Sequence, residues 1–257
     1  MPITLAAFTV QNEWEGCTWS VSSVDELANA IAIIAVGQAL HVANILHVAG
    51  LAPVPTTKGA VKGAIKLLTS SGNIAHRDGW MFQVMSWLAA QLRTPGALLN
   101  MPQMIHAHKG LDGLQVFIDG AEKVTAVVVF EDKATENPRS MVRDKVWPEF
   151  RKFETGENEH LIASEVTLLL KGSGHSDPQQ AVVDIMWKQV RRYRLSITDE
   201  QSTDHSQAKL LKGYEENVPG GMERRRAEIF EVIGLRKWMD DLAAVAIKKA
   251  EAMATTD

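Results

Sequence analysis

The chain has 257 residues, 46% of them hydrophobic, and a formal net charge of −4. That is enough apolar material for a substantial core, and too little positive charge for a protein that coats nucleic acid nonspecifically. The single cysteine, Cys17, excludes an intrachain disulfide framework, and no cysteine and histidine pattern has zinc-finger spacing.

No basic segment precedes a short apolar run at the N-terminus, so a secretory signal is not supported and a reducing cytoplasm is the expected location. Ser23-Val24-Asp25-Glu26 has the spacing of a capping box and predicts a helix start. From Leu27 to Ala49 no residue is formally charged, but Asn29, Gln38, His41, Asn44 and His47 interrupt the run. In lipid each of those groups would need an internal partner. A long buried or partner-facing helix is therefore expected, not a membrane span. Gly50 to Gly59, with Pro53 and Pro55, reads as a loop; Val61 to Leu68 reads as a short helix and Arg77 to Leu92 as a longer one.

Two apolar runs follow, Leu114 to Ile118 and Val124 to Lys133, joined by Asp119-Gly120 and Glu122-Lys123. They predict a β-hairpin. In a strand, alternate side chains share a face, so Glu131 and Lys133 lie together while Asp132 points with Phe130 to the other side. Pairing across the hairpin brings Asp112, of Leu111-Asp112-Gly113-Leu114, close to Glu131. Two carboxylates beside a lysine can hold a hard divalent cation and polarise a water for attack on phosphorus.

After Glu136-Asn137-Pro138, Pro138 suits the first position of a helix through Trp147, which Pro148 should kink or restart. Leu161 to Leu170 favours helix, because Ala163, Ser164 and Glu165 are poor strand formers. Asp177-Pro178 opens another helix to about Arg192, and the alternation of Tyr193, Leu195 and Ile197 predicts a strand. Thr198 to Gln207 reads as a loop, Ile229 to Ile233 as a strand, and Leu235 to about Ala252 as an amphipathic closing helix. The basic clusters at Arg191, Arg192 and Arg194, at Lys209 and Lys212, and at Arg224 to Arg226 read equally as solvated faces or phosphate contacts. His106, His108 and Lys109 receive no chemical role, and Trp80, Trp87, Trp147, Trp187 and Trp238 are expected as core anchors. Lys171-Gly172-Ser173-Gly174 lacks the spacing of a phosphate loop, so ATP binding is not expected.

Asp112 with Glu131-Asp132-Lys133 resembles the signature of the PD-(D/E)XK nuclease superfamily over residues 76–198. The resemblance implies an α/β (α+β) fold, a restriction-endonuclease-like mixed sheet flanked by helices. The chain then divides into an N-terminal helical region at 1–70 and a nuclease-like domain at 71–257, which can form one continuous domain. By position, Asp112 and Glu131 would bind Mg²⁺ or, in its place, Mn²⁺, the carbonyl of Asp132 would add a ligand, and Lys133 would position the attacking water. A lysine between carboxylates has its pKa raised, so a positioning role suits it better than a general-base role.

Leu111 stands where the superfamily often has proline, and the helix glutamate of many members is matched only by Gln83 or Asp78. Gln83 is the accessory candidate there, and Arg139 is a candidate phosphate contact whose fork matches phosphate oxygens. The implied function is Mg²⁺-dependent cleavage of DNA, with an anti-phage defence effector as the family-level setting. A noncatalytic interaction subunit of the same fold, binding a partner protein or a second copy through the Leu27–Ala49 helix, is the alternative. No membrane partner is expected.

Overall fold

The computed structural model describes residues 1–10, 13–46, 55–70, 72–107, 110–187, 190–200 and 204–254. Among them a seven-stranded mixed sheet runs in the order β1-β2-β7-β6-β5-β4-β3. Its strands are β1 (Ile3–Val10), β2 (Trp14–Val21), β3 (Leu98–Leu99), β4 (Gly113–Ile118), β5 (Val124–Lys133), β6 (Arg191–Asp199) and β7 (Arg225–Glu231). β5, β6, β7 and β2 are mutually parallel neighbours, while β1 and the β3-β4 pair extend the sheet antiparallel at its two ends.

The segment before residue 70 is therefore not purely helical. β1 and β2 pair with each other, and β2 pairs with β7, so the sheet crosses the boundary expected at residue 70. Gly16 permits this approach: a Cβ there would fall 1.8 Å from the carbonyl oxygen of Ala227.

Ser23 caps α1 (Val24–Ala35), its Oγ accepting the Glu26 backbone N–H at 3.2 Å. The expected long helix stops there because Gly37 adopts φ 90°, a left-handed turn that suits glycine. α2 (Ala39–Ile45) resumes it, and residues 47–54, with the first half of the predicted loop, lie outside the described residues. Leu27, Ala28 and Ala30 to Ile34 are fully buried. They pack within the chain against α3 (Lys58–Leu68), α4 (Ile74–Arg93) and α11 (Leu235–Ala252). The uncharged part of α1 is thus buried in the chain's own core, while Leu40 of α2 is exposed. No helix among the described residues is long and apolar enough to cross a membrane.

Strand alternation divides the core in two. Val128 and Phe130 of β5 face α1, α3, α4 and α11, whereas Val127 and Val129 face the second helical layer. That layer starts with α5 (Pro138–Met141), a π turn (Val142–Val146) and α6 (Trp147–Glu154). Pro148 lacks an N–H and does not break the helix; the wider turn before it takes the strain, with the Trp147 N–H bonded to the Val142 carbonyl. α7 (Glu159–Ser173), α8 (Pro178–Trp187), α9 (Asp204–Leu211) and α10 (Tyr214–Asn217) complete the layer. Residues 204–207, expected in a loop, belong to α9. Trp80, Trp87 and Trp147 are buried as core anchors and Trp238 stacks edge-on to Phe230.

Candidate functional site

The β4–β5 hairpin sets the geometry. Gly113 pairs with Phe130, so the next pair outward places Asp112 opposite Glu131. A Cβ on Gly113 would fall 2.5 Å from the Phe130 ring; glycine is what lets the chain lie this close beside Asp112.

Lys133 joins the two carboxylates. Its Nζ lies 2.6 Å from Glu131 Oε1 and 3.1 Å from Asp112 Oδ2. It also donates to the Asp132 carbonyl oxygen at 3.3 Å. Three oxygens thus converge on one cationic position. The side chains of Asp112, Glu131 and Lys133 are 15%, 13% and 24% exposed, so the group is enclosed but open to solvent on one side.

Asp112 is held from two further directions. Its Oδ2 accepts the Asp132 backbone N–H at 2.9 Å, and its Oδ1 accepts Gln83 Nε2 of α4 at 2.6 Å. Of the two helix candidates, Gln83 is the one that reaches the site. Asp78 is buried against Arg77 and Arg236 instead.

Asp132 points to the opposite face of the sheet, as the alternation requires. Ser86 of α4 donates to its Oδ1 at 2.7 Å, and Ser196 of β6 lies 3.3 Å from the same hydroxyl. Behind them Arg194, 1% exposed, pairs with Glu228 at 2.6 Å and lies 4.3 Å from the Phe130 ring centroid. Trp19 donates to the same Glu228 oxygen at 2.9 Å.

Burial pushes the Glu131 carboxyl up to about 7, with Asp112 and Glu149 of α6 adding to the rise and Lys133 opposing it. Burial likewise raises the Asp132 carboxyl, opposed first by Arg194. For Lys133 burial disfavours the charge, but Glu131 and Asp112 outweigh it and its pKa is raised. The lysine stays protonated through the physiological range, which is incompatible with a resting general base.

Other expected contacts lie elsewhere. Arg139 donates to the carbonyl oxygens of Leu210 and Lys212, each at 2.9 Å. Both bonds come from Nη1, which caps the end of α9. His106 donates from Nε2 to the Leu67 carbonyl at 2.8 Å, while residues 108 and 109 lie outside the described residues. The arginine clusters turn largely inward. Arg191 bonds the Phe153 carbonyl, Arg224 pairs with Glu154, Arg225 bonds the carbonyls of Glu13, Val218 and Gly220, and Arg226 pairs with Glu15. These four arginines staple the sheet to its flanking segments.

Ser86, Ser196, Arg194 and Glu149 were not expected at the site. Only the alternation of β6, which puts Arg194 and Ser196 on the face opposite Leu195, carried a signal for two of them.

No protein-family model matches the chain, and no curated protein matches it.

The donor set can be weighed against a divalent metal. Among the described residues no group of three or more histidine, cysteine, aspartate or glutamate side chains is arranged to hold one. Two carboxylates and one carbonyl remain, all hard oxygen donors. That set suits Mg²⁺, which is commonly bound through one or two carboxylates and keeps several of its waters.

Proposed function

We propose that the chain is a metal-dependent phosphodiesterase that hydrolyses DNA. The observation that carries this reading is the convergence of Asp112 Oδ2, Glu131 Oε1 and the Asp132 carbonyl on one cationic position, with Lys133 Nζ at 3.1, 2.6 and 3.3 Å from them. Such a cradle is organised for positive charge beside a polar, partly open surface.

When bound there, Mg²⁺ or Mn²⁺ would offset charge on a phosphoryl oxygen and lower the pKa of a water. Asp112 and Glu131 would hold it, and the Asp132 carbonyl would complete the protein's share. Gln83 fixes the orientation of Asp112 from α4, the role left by the absent helix glutamate. Lys133, protonated, positions a phosphate oxygen or the attacking water.

The element order also supports the reading. α4 is followed by the β3-β4-β5 meander, then by a helical layer, then by β6 parallel to β5. That is the order implied by a restriction-endonuclease-like fold. A place as the effector of an anti-phage defence system extends the proposal by fold analogy alone.

Incubating the purified chain with supercoiled plasmid, linear duplex and single-stranded RNA in Mg²⁺ or Mn²⁺ tests it. Nicking or linearisation of plasmid that EDTA abolishes is the expected result, and the RNA arm defines the substrate class. Intact DNA with both metals over a wide range of protein concentration would contradict the proposal.

A further inference from the structure

The Lys133 ammonium occupies the position that the metal reading assigns to a divalent cation, and the two cannot share it. Mg²⁺ requires oxygens at about 2.1 Å. The ammonium touches the same three oxygens, at 2.6 Å from Glu131, 3.1 Å from Asp112 and 3.3 Å from the Asp132 carbonyl. Asp112 cannot turn away to serve both cations, because Gln83 holds Oδ1 and the Asp132 N–H holds Oδ2. Glu131 lies within the paired strand β5, its backbone fixed opposite Leu195 of β6.

Resting on the phosphodiesterase reading, we propose that Lys133 is a built-in competitor for the cation position, and that displacement of its ammonium couples metal binding to phosphate binding. At 24% exposure, the side chain has an outlet to solvent. A metal that enters leaves the ammonium without its carboxylates, and a substrate phosphate is the anion that re-pairs it. Without phosphate, metal binding must separate an enclosed ion pair. Without metal, the ammonium is neutralised and holds phosphate poorly. Linkage makes the coupling reciprocal: phosphate tightens metal binding by the factor by which metal tightens phosphate binding. Electrostatic steering in the site is thereby withheld until both ligands are present.

Lys152 on α6 supplies the control. It is a cation of the same helix-lined side whose partner is Glu149, at 3.1 Å, and it does not touch the cradle.

Calorimetric titration of Mn²⁺ into the full chain, with and without a phosphorothioate duplex, tests the proposal without relying on cleavage. Lys133→Gln is expected to bind Mn²⁺ at least about tenfold more tightly than the native chain when no duplex is present. Lys152→Gln should stay within about threefold of native, the size of a screened, more distant charge. The duplex should tighten Mn²⁺ binding by a larger factor in the native chain than in Lys133→Gln, where only the direct metal–phosphate attraction remains. Should Lys133→Gln fail to fold, Lys133→Met, which keeps the apolar stem, carries the same expectation. Equal or weaker Mn²⁺ binding by the folded Lys133 variant, or an equal gain in Lys152→Gln, overturns the competition while leaving the phosphodiesterase reading in place. Absence of Mn²⁺ binding in both native chain and Lys133 variant overturns both.

Discussion

Gln83 holds Asp112 by a 2.6 Å hydrogen bond from its side-chain amide to Oδ1, tying the middle of α4 to the first residue before β4. The amide is neutral, so it orients the carboxylate without adding to the negative charge of the site. Gln83→Ala should leave stability within about 1 kcal/mol of native, since solvent can replace the lost donor, but slow DNA cleavage about tenfold by releasing Asp112. Gln83→Glu should set two carboxylates against each other. Thermal melts are expected to show it destabilised without metal and restored by Mg²⁺; a midpoint that Mg²⁺ moves in the native chain but not in Gln83→Glu would argue against Gln83 lying at the metal position.

The raised Glu131 carboxyl makes stability depend on pH. Its folded value of about 7 lies above the ordinary 4.5, so the folded state binds the extra proton between those values. The stabilising contribution is complete below the ordinary value and is lost as pH rises through the folded one; Asp132, raised by burial, acts in the same direction. Urea unfolding should show the native chain losing roughly 1–3 kcal/mol from Glu131 between about pH 5 and pH 8, and Glu131→Gln should flatten that part of the slope. A native stability that climbs with pH across this window would contradict the assignment.

Beneath the site, Arg194 and Glu228 form a buried ion pair at 2.6 Å, with both side chains no more than 2% exposed. Removing one partner strands the other, so Glu228→Gln and Arg194→Met should each cost about 3–5 kcal/mol, while the double variant should cost clearly less than their sum. Denaturant titrations of the four proteins measure this. Additive losses would show that the pair is not coupled.

Gly113 lies between Asp112 and the hairpin ladder, and an added Cβ would meet the Phe130 ring at 2.5 Å. Gly113→Ala should therefore destabilise the chain by about 1–3 kcal/mol and move Asp112 off the cradle. Cleavage under conditions where the variant is fully folded should fall more than tenfold. Native-level cleavage by the folded variant would mean that Asp112 does not need its present position.

What was legible in the sequence was local. The apolar runs Leu114 to Ile118 and Val124 to Lys133, with the turn at Asp119-Gly120, predicted a hairpin, and the hairpin alone brings Asp112 to Glu131 and Lys133. Asp119 stabilises that turn by accepting the backbone N–H groups of Ala121 and Lys123. Parts built from distant segments were not legible. β1 has little polar alternation, and β2, beyond its pairing with β1, joins the rest of the sheet through β7 near the other end of the chain. Arg194 and Arg224 to Arg226 looked like surface charge because the acids and carbonyls that bury them, such as Glu228, Glu154 and Glu13, come from other elements. The apolar run after Ser23 left burial and a partner-facing role open for the same reason: the α11 residues that cover α1 lie at the far end of the chain.

The central claim is that Asp112 and Glu131 hold a divalent cation that lets the chain cut DNA. Its most direct measurement is the initial rate of cleavage of a linear duplex in Mg²⁺ by the native chain, Glu131→Ala and Lys133→Ala, each shown to be folded. The expected result is metal-dependent cleavage by the native chain and a loss of at least about a hundredfold in both variants. Cleavage that persists unchanged in both variants would contradict the account.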